Sequence, residues 1–126
     1  MSITYPDGSS GSQFFGRNQK IIVDSGTSYI LMPARERDRF VKSLKDDKGI
    51  LCEDEKLPIC ECNQYPEKND FPDLKFTIDG QTYSMPADNY IIRGPDHCAI
   101  AIMSHPLMED WILGLNFLQN YYTVFD

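Results

Sequence analysis

The 126-residue sequence lacks an apolar run long enough to cross a bilayer, and its first residues, MSITYPDGSS, lack the basic start and apolar stretch of a secretory signal. It also has few basic residues, with 12 Lys and Arg against 19 Asp and Glu and a net charge of -7. Phosphate contacts need clustered Lys and Arg, so this balance argues against a nucleic acid partner. We therefore expect neither a membrane span in this chain nor nucleic acid binding.

Histidine is scarce as well, since only His97 and His105 are present. A nucleophilic triad would have to use one of them, and nothing around either residue resembles such a triad. The Gly- and Ser-rich segment 6–16 lacks the preceding strand and following helix that a nucleophile elbow requires. A serine hydrolase is therefore not indicated.

The chain does have enough apolar mass for a core, with 41% hydrophobic and 12% aromatic residues, and its length fits one domain. Its patterns are mostly those of strands. The β-branched run 21–23 is typical of a buried strand, and Leu74, Phe76 and Ile78 alternate with polar residues before a predicted primed turn at Asp79 and Gly80. Further short strands are predicted near residues 82–85, 90–92, 98–103, 111–113 and 121–125.

One amphipathic helix is predicted, beginning at Pro33 and ending near Lys45, with Gly49 beyond its end. Its apolar residues are Phe40, Val41 and Leu44, and we expect its Arg and Lys residues on the opposite, exposed face. No internal repeat or low-complexity segment divides the chain. The prediction is a mainly β domain with one or two short helices.

The sequence contains an even set of four cysteines, Cys52, Cys60, Cys62 and Cys98. In an oxidising compartment they could form two disulfides, and three pairings are open on the residues alone. A zinc site is the alternative, because Cys60 lies close to Cys62 and His97 precedes Cys98. The spacing differs from the two-residue gap of zinc fingers and ribbons, so disulfides are favoured over a metal.

The predicted strand 21–23 ends on Asp24, which Ser25, Gly26, Thr27 and Ser28 follow. An aspartate in such a position more often caps a turn or a helix than carries out catalysis. A second element, WILGLNF at residues 111–117, followed by YYTVFD at residues 121–126, changes this balance.

Residues 21–33, IIVDSGTSYILMP, resemble the second active-site loop of pepsin-like aspartic peptidases, and residues 111–126, WILGLNFLQNYYTVFD, resemble their carboxy-terminal strand and turn. Between them, FPDLKFTIDGQTYSMPADNYII and the following Cys98 resemble the middle hairpins of the same lobe. The resemblance implies a mainly β fold that forms a single lobe of the bilobal acid protease. Residues 1–126 would be the carboxy-terminal lobe shortened at both ends, with Met1 not the natural start.

This resemblance implies an aspartic endopeptidase in which Asp24 shares a water with an aspartate of the missing amino-terminal lobe. The pair would act as general acid and base on a peptide or protein substrate, without metal or cofactor. An isolated lobe would be inactive as a monomer, and its exposed interface would favour self-association. The alternatives are a catalytically silent domain that binds peptides or partners, and a disulfide- or metal-stapled structural module.

The resemblance also implies residue roles. The loop would be supported by Ser25, Gly26 and Thr27, with Thr27 bonding across the lobe interface. At the position of Ser25 the family more often has Thr. The remaining implied residues are Ser28, Ile22 and Ile112 for substrate binding, Leu113 and Gly114 for the strand that passes the loop, and Leu115 in place of a common acidic residue. Core packing is an equally open interpretation of the two isoleucines.

For the cysteines, the resemblance implies that Cys98 pairs with Cys62, although Cys60 is an open alternative. The first pairing leaves Cys52 and Cys60 to close a small surface loop. Disulfides and the acidic working range of the family imply a secreted, lysosomal or vacuolar location.

Overall fold

The computed structural model describes residues 1–5, 8, 11, 20–53, 55–61, 71–78, 80–94, 97–104, 107 and 109–119. Within them the chain is mainly β, as predicted, with two α-helices and one short 3-10 helix, Ala87–Asn89. The helices are α1, Ala34–Lys48, and α2, Leu115–Leu118. The strands are β1 Ser2–Thr4, β2 Ile21–Val23, β3 Ile30–Leu31, β4 Cys52–Glu53, β5 Ile59–Glu61, β6 Asp73–Ile78, β7 Gln81–Met85, β8 Ile91–Arg93, β9 His97–Ile100, β10 Ile102–Met103 and β11 Trp111–Leu113.

The strands form three sheets, of which the mixed sheet positions the candidate site. Its strand order is β10, β3, β11, β2, with β11 parallel to β2 and antiparallel to β3. The hairpin sheet has the order β1, β6, β7, and the cysteine sheet has the order β4, β5, β9, β8. Because β2 and β11 are far apart in sequence, their parallel pairing brings two distant motifs together.

The predicted hairpin is confirmed between β6 and β7, where Ile78 pairs with Gln81 across a two-residue connection. Gly80 has φ of +80°, which glycine adopts without strain. Asp79, the other predicted turn residue, lies outside the described residues. Leu74 and Phe76 point to the core, as their alternation predicts. The predicted strand 98–103 is instead divided between β9 and β10 at Ala101, and the predicted strand 121–125 lies outside the described residues.

The helix prediction is confirmed with one extension and one correction. Helix α1 continues to Lys48 and ends at Gly49, which has φ of +70° and donates its N–H to Lys45 O at 2.8 Å. The expectation that all its basic residues face solvent was wrong for Arg37, which is buried with only 6% of its surface exposed. The reason is that Arg37 lies under the segment that carries Glu55 and Lys56, and it donates to both of their carbonyl oxygens.

A single apolar cluster joins the three sheets and α1. Within it, the Phe76 ring stacks edge-on against Trp111 of β11 and Phe117 of α2, with centroids 6.3 and 5.5 Å apart. The largest side chains that are fully buried are Trp111, Tyr90, Phe40, Phe76, Ile3, Ile30, Met32, Leu44, Ile50, Leu74 and Met85. These contacts fix β11 and α2 against the hairpin sheet. The backbone beside the candidate site is therefore built on a packed core.

The predicted disulfide between Cys52 and Cys60 is present, and it joins residues that face each other across β4 and β5. Cys98 is also disulfide-bonded, and Cys62, its implied partner, lies outside the described residues. Sulfurs held in disulfides are not thiolates, so Cys52, Cys60 and Cys98 are not available to the zinc site that their spacing left open. Among the described residues no helix is long and apolar enough to cross a membrane.

Candidate active site

Strand β2 delivers Asp24 to the edge of the mixed sheet. Ile22 lies opposite Ile112 in the parallel pairing of β2 with β11. The backbone N–H of Asp24 then donates to Leu113 O at 3.0 Å, which continues the ladder one residue past the strand. The aspartate is therefore fixed directly beside the Trp111–Gly114 segment, as the resemblance requires.

Each carboxylate oxygen of Asp24 accepts a hydrogen bond from its own loop. The N–H of Gly26 donates to Oδ1 at 2.9 Å, and the hydroxyl of Thr27 donates to Oδ2 at 3.1 Å. The N–H of Thr27 also donates to the backbone oxygen of Asp24 at 3.2 Å. These bonds orient the carboxylate, while each oxygen keeps lone pairs for a further donor.

The carboxylate faces solvent. Residues 22–26 and Ser28 are exposed, and Thr27 is half-buried. An exposed, oriented carboxylate can accept a proton, hold a water or lie against a second acidic group. Among the described residues, no group of three His, Cys, Asp or Glu side chains is placed to hold a metal ion.

Gly114 follows β11 and passes against the loop that carries Asp24. A Cβ atom at this position would lie 2.4 Å from Thr27 O and 2.4 Å from Tyr29 O. Both distances are too short for a contact between atoms that are not bonded to each other. Directly after it, the N–H of Leu115 donates to Thr27 O at 2.7 Å. Only a residue without a side chain allows the two backbones to approach this closely, as predicted for Gly114.

The role across the lobe interface that the resemblance implies for Thr27 stays a prediction. Its hydroxyl donates to Oδ2 of Asp24 within the loop, and its oxygen keeps lone pairs that can accept a donor from a facing chain. Ser25 is exposed on the same loop.

The three residues implied in substrate binding lie near one another along β2, β11 and the loop. Ile22 is 36% exposed and pairs in register with the half-buried Ile112, so neither belongs to the fully buried core. Ser28 is exposed, and its carbonyl accepts the N–H of Asn116 at 3.2 Å. The geometry brings these residues to one edge of the sheet; their contact with substrate stays a prediction.

Sequence reasoning missed Asn116, a buried polar residue in the first turn of α2. Its side-chain Nδ2 donates to Ala101 O at 3.2 Å, and its Oδ1 has no hydrogen-bond donor among the described residues. The available signal was one polar residue between the apolar Leu115 and Phe117.

Comparison with known proteins matches residues 2–126 to the family model described as eukaryotic aspartyl protease. The chain belongs to this family. This match confirms the resemblance to pepsin-like aspartic peptidases, and the mainly β structure agrees with one lobe of an aspartyl protease.

Among curated relatives, the chain is 33% identical over 111 residues to Pepsin A of Gallus gallus, covering 83% of this chain and 27% of that protein. It is 29% identical over 114 residues to Renin of Canis lupus familiaris, covering 84% of this chain and 27% of the relative. It is also 29% identical over 110 residues to Gastricsin of Rattus norvegicus, covering 83% of this chain and 26% of that protein. The chain thus spans about a quarter of the length of the aspartyl proteases it matches.

Proposed function

We propose that this chain is the carboxy-terminal lobe of an aspartic endopeptidase and that Asp24 is one of its two catalytic carboxylates. The observation that carries the proposal is an exposed aspartate whose two carboxylate oxygens are oriented by Gly26 and Thr27, in a chain that belongs to the aspartyl protease family. Its matched relatives are about three times as long, so the proposal includes a second lobe that supplies the other aspartate.

Two carboxylates are needed because one cannot serve as acid and base in the same step. Held close together, two such groups do not both ionise cheaply, and they share one proton. The charged member removes a proton from a bound water, which attacks the peptide carbonyl carbon. The protonated member donates its proton to the carbonyl oxygen, giving a tetrahedral intermediate with no covalent bond to the protein. Asp24 supplies one half of this pair.

The surface around Asp24 supports a facing lobe. Three apolar side chains near the carboxylate are exposed, Val23 by 47%, Leu115 by 43% and Ile22 by 36%. Covering them with a second lobe would remove this apolar surface from water. Ser28, Ile22 and Ile112 would then line part of a cleft for an extended peptide. The disulfide between Cys52 and Cys60 supports a secreted, lysosomal or vacuolar setting.

The proposal is tested with the full-length protein, an acid-denatured protein substrate and Asp24→Asn. This change keeps the shape of the side chain and removes its charge and its proton exchange. We expect kcat to fall by about 100-fold or more, the range of general acid and base catalysis. The matched control is Asp46→Asn, an exposed aspartate of α1, which should cleave at the wild-type rate.

Unchanged cleavage by Asp24→Asn would refute the catalytic role. A wild-type protein that binds extended peptides in calorimetry but does not cleave them would instead indicate a silent binding domain. Cleavage by this 126-residue chain alone, with a rate that rises with the square of its concentration, would show that two copies of Asp24 serve as the pair and would overturn the need for a second lobe.

A further inference from the structure

Asn116 is bonded to three parts of the fold, to one through its side chain and to two through its backbone. Asn116 is 7% exposed, and its Nδ2 donates to Ala101 O at 3.2 Å, where β9 gives way to β10. Its own carbonyl oxygen accepts the side-chain Nδ2 of Asn89 at 3.2 Å. Its backbone N–H donates to Ser28 O in the loop that follows Asp24. The residue therefore lies between the sheet break, the 3-10 helix and the active-site loop.

The orientation of the amide follows from its partner. The carbonyl oxygen of Ala101 can only accept, so it must face the NH₂ group of Asn116. Oδ1 then points to a buried position where it has no donor among the described residues. Burying an amide costs free energy unless its polar atoms are paired, so the bond to Ala101 O helps to offset the burial of Asn116. This bond ties the first turn of α2 to the break between β9 and β10.

The same turn also contacts the active-site loop. The first turn of α2 presents two backbone N–H groups to the loop, from Leu115 to Thr27 O at 2.7 Å and from Asn116 to Ser28 O at 3.2 Å. Thr27 in turn donates its hydroxyl to Oδ2 of Asp24. The side-chain bond to Ala101 O connects this turn to the break between β9 and β10. A shift of the turn would move Thr27 and Ser28, and with them the donors that orient the carboxylate.

We propose that Asn116 is a positioning residue of the active-site loop: its amide anchors the first turn of α2 to Ala101, and that turn holds Thr27 and Ser28 in the place that orients Asp24. The anchor itself is a property of this chain. Its effect on catalysis rests on the proposed function.

Asn116→Leu is the main test, because leucine has nearly the shape of asparagine and cannot donate. It removes a buried polar group and leaves Ala101 O without its donor. These two effects on stability have opposite signs, so the unfolding midpoint should change little. The backbone amide proton shifts of Gly26 and Thr27 in this chain, measured by NMR, should nevertheless move away from wild type. In the full-length protein, kcat should fall by about 10- to 100-fold with KM unchanged, as for a misplaced catalytic group.

Asn116→Asp adds a readout that a purely structural role would not produce. When protonated, the introduced carboxyl can donate its O–H to Ala101 O and replace the lost amide. Burial raises the pKa of such a carboxyl above its usual value, and ionisation then sets a negative charge against the carbonyl oxygen. In acid, the amide shifts and kcat of this variant should be close to those of the wild type. As pH rises through that pKa, both should depart reversibly from the wild-type values at the same pH. Asn116→Leu should show the same defect at every pH.

The matched control is Ser43→Ala, which also removes a buried polar group, here a hydroxyl that donates to Arg39 O within α1. It should leave the amide shifts of Gly26 and Thr27 and the value of kcat unchanged. Wild-type amide shifts in Asn116→Leu, or equal changes in Ser43→Ala, would overturn the proposal. If the wild-type protein cleaves nothing, the proposed function fails while the amide shifts still decide the role of Asn116. If Asn116→Leu does not fold, the pH dependence of Asn116→Asp decides it.

Discussion

Two charged side chains of this protein are held by hydrogen bonds in opposite ways. Asp24 is exposed, and the N–H of Gly26 and the hydroxyl of Thr27 orient its carboxylate while one side remains open. Arg37 is buried, and its guanidinium donates to Glu55 O, Lys56 O and the hydroxyl of Ser104. The first arrangement leaves a charge available for chemistry, and the second uses a charge to tie a loop to α1 and β10. We call the second arrangement the Arg37 clamp.

The comparison shows that hydrogen bonding alone does not mark a functional group. A buried cation with carbonyl acceptors is satisfied in place and has no access to substrate. An oriented carboxylate at a strand end remains reactive because solvent or a facing lobe can reach it. Exposure together with orientation distinguishes the candidate site from the structural clamp.

The largest effect is expected at the backbone crossing beside Asp24. Gly114→Ala places a methyl group 2.4 Å from Thr27 O and Tyr29 O, and backbone oxygens cannot move aside as a flexible side chain would. We expect the free energy of unfolding to fall by about 3 kcal/mol, at the upper end of overpacking effects. Urea denaturation of the variant and the wild type measures this difference in the free energy of unfolding. The control is Gly80→Asn, at an open turn with positive φ, where a loss of as much as 3 kcal/mol would show that the crossing is not special.

The next largest effect is expected from a substitution that breaks the Arg37 clamp. Arg37→Met keeps most of the apolar stem but leaves the carbonyls of Glu55 and Lys56 without this donor. We expect a loss of about 2 to 3 kcal/mol in the free energy of unfolding, from the loss of hydrogen bonds made by a charged donor. The exposed Arg35 provides the matched control, since Arg35→Met should be close to neutral. Equal effects of the two changes would contradict a specific clamp. Neither change should alter the amide shift of Gly26.

A smaller effect is expected from opening the loop that Arg37 holds. Changing both Cys52 and Cys60 to Ala removes the disulfide across β4 and β5. With eight residues of separation, the unfolded chain gains the freedom of a short loop, and we expect a loss of about 2 kcal/mol on the chain-entropy account. Thermal unfolding followed by circular dichroism gives the value. An unchanged midpoint would mean that the clamp holds the loop without the covalent bond.

The smallest effect on stability is expected at the site itself. Thr27→Val removes the hydroxyl that donates to Oδ2 of Asp24 and keeps the branched shape. Since this bond lies at the surface, we expect a loss of only about 0.5 kcal/mol in the free energy of unfolding. In the full-length protein the same change should lower kcat clearly, and Thr27→Ser should restore it. A large stability loss with normal kcat would reverse the contrast between the site and the clamp.

Much of the site could be predicted from sequence because its residues act through local rules. Asp24, Gly26 and Thr27 are within four positions of one another, and their hydrogen bonds form inside one loop. The close approach of Gly114 was predictable from its place after an apolar strand in a recognised motif. The exposed apolar edge near Ile22 was harder to predict from sequence, because a β-branched strand also fits a fully buried position.

Asn116 and Arg37 escaped prediction because their partners are far away in sequence. Asn116 meets Ala101 and Ser28, and Arg37 meets Ser104. Residue type alone suggested an exposed position for Arg37, since long charged side chains are buried only when specific acceptors surround them. A local sequence pattern does not predict hydrogen-bond acceptors that come from a distant part of the chain.

The cysteines show the same division. Cys60 lies between Cys52 on β4 and Cys98 on β9, directly opposite both, so residue spacing could not decide its partner. The sequence by itself determined the strands, the long helix, the loop that orients Asp24 and the family, because these depend on neighbouring residues and contiguous motifs. Only the tertiary structure decided which cysteine Cys60 joins, that Arg37 is buried, and that Asn116 reaches the loop. Those outcomes depend on how strands pair and pack across long separations in the chain, and sheet register is a property of the whole fold.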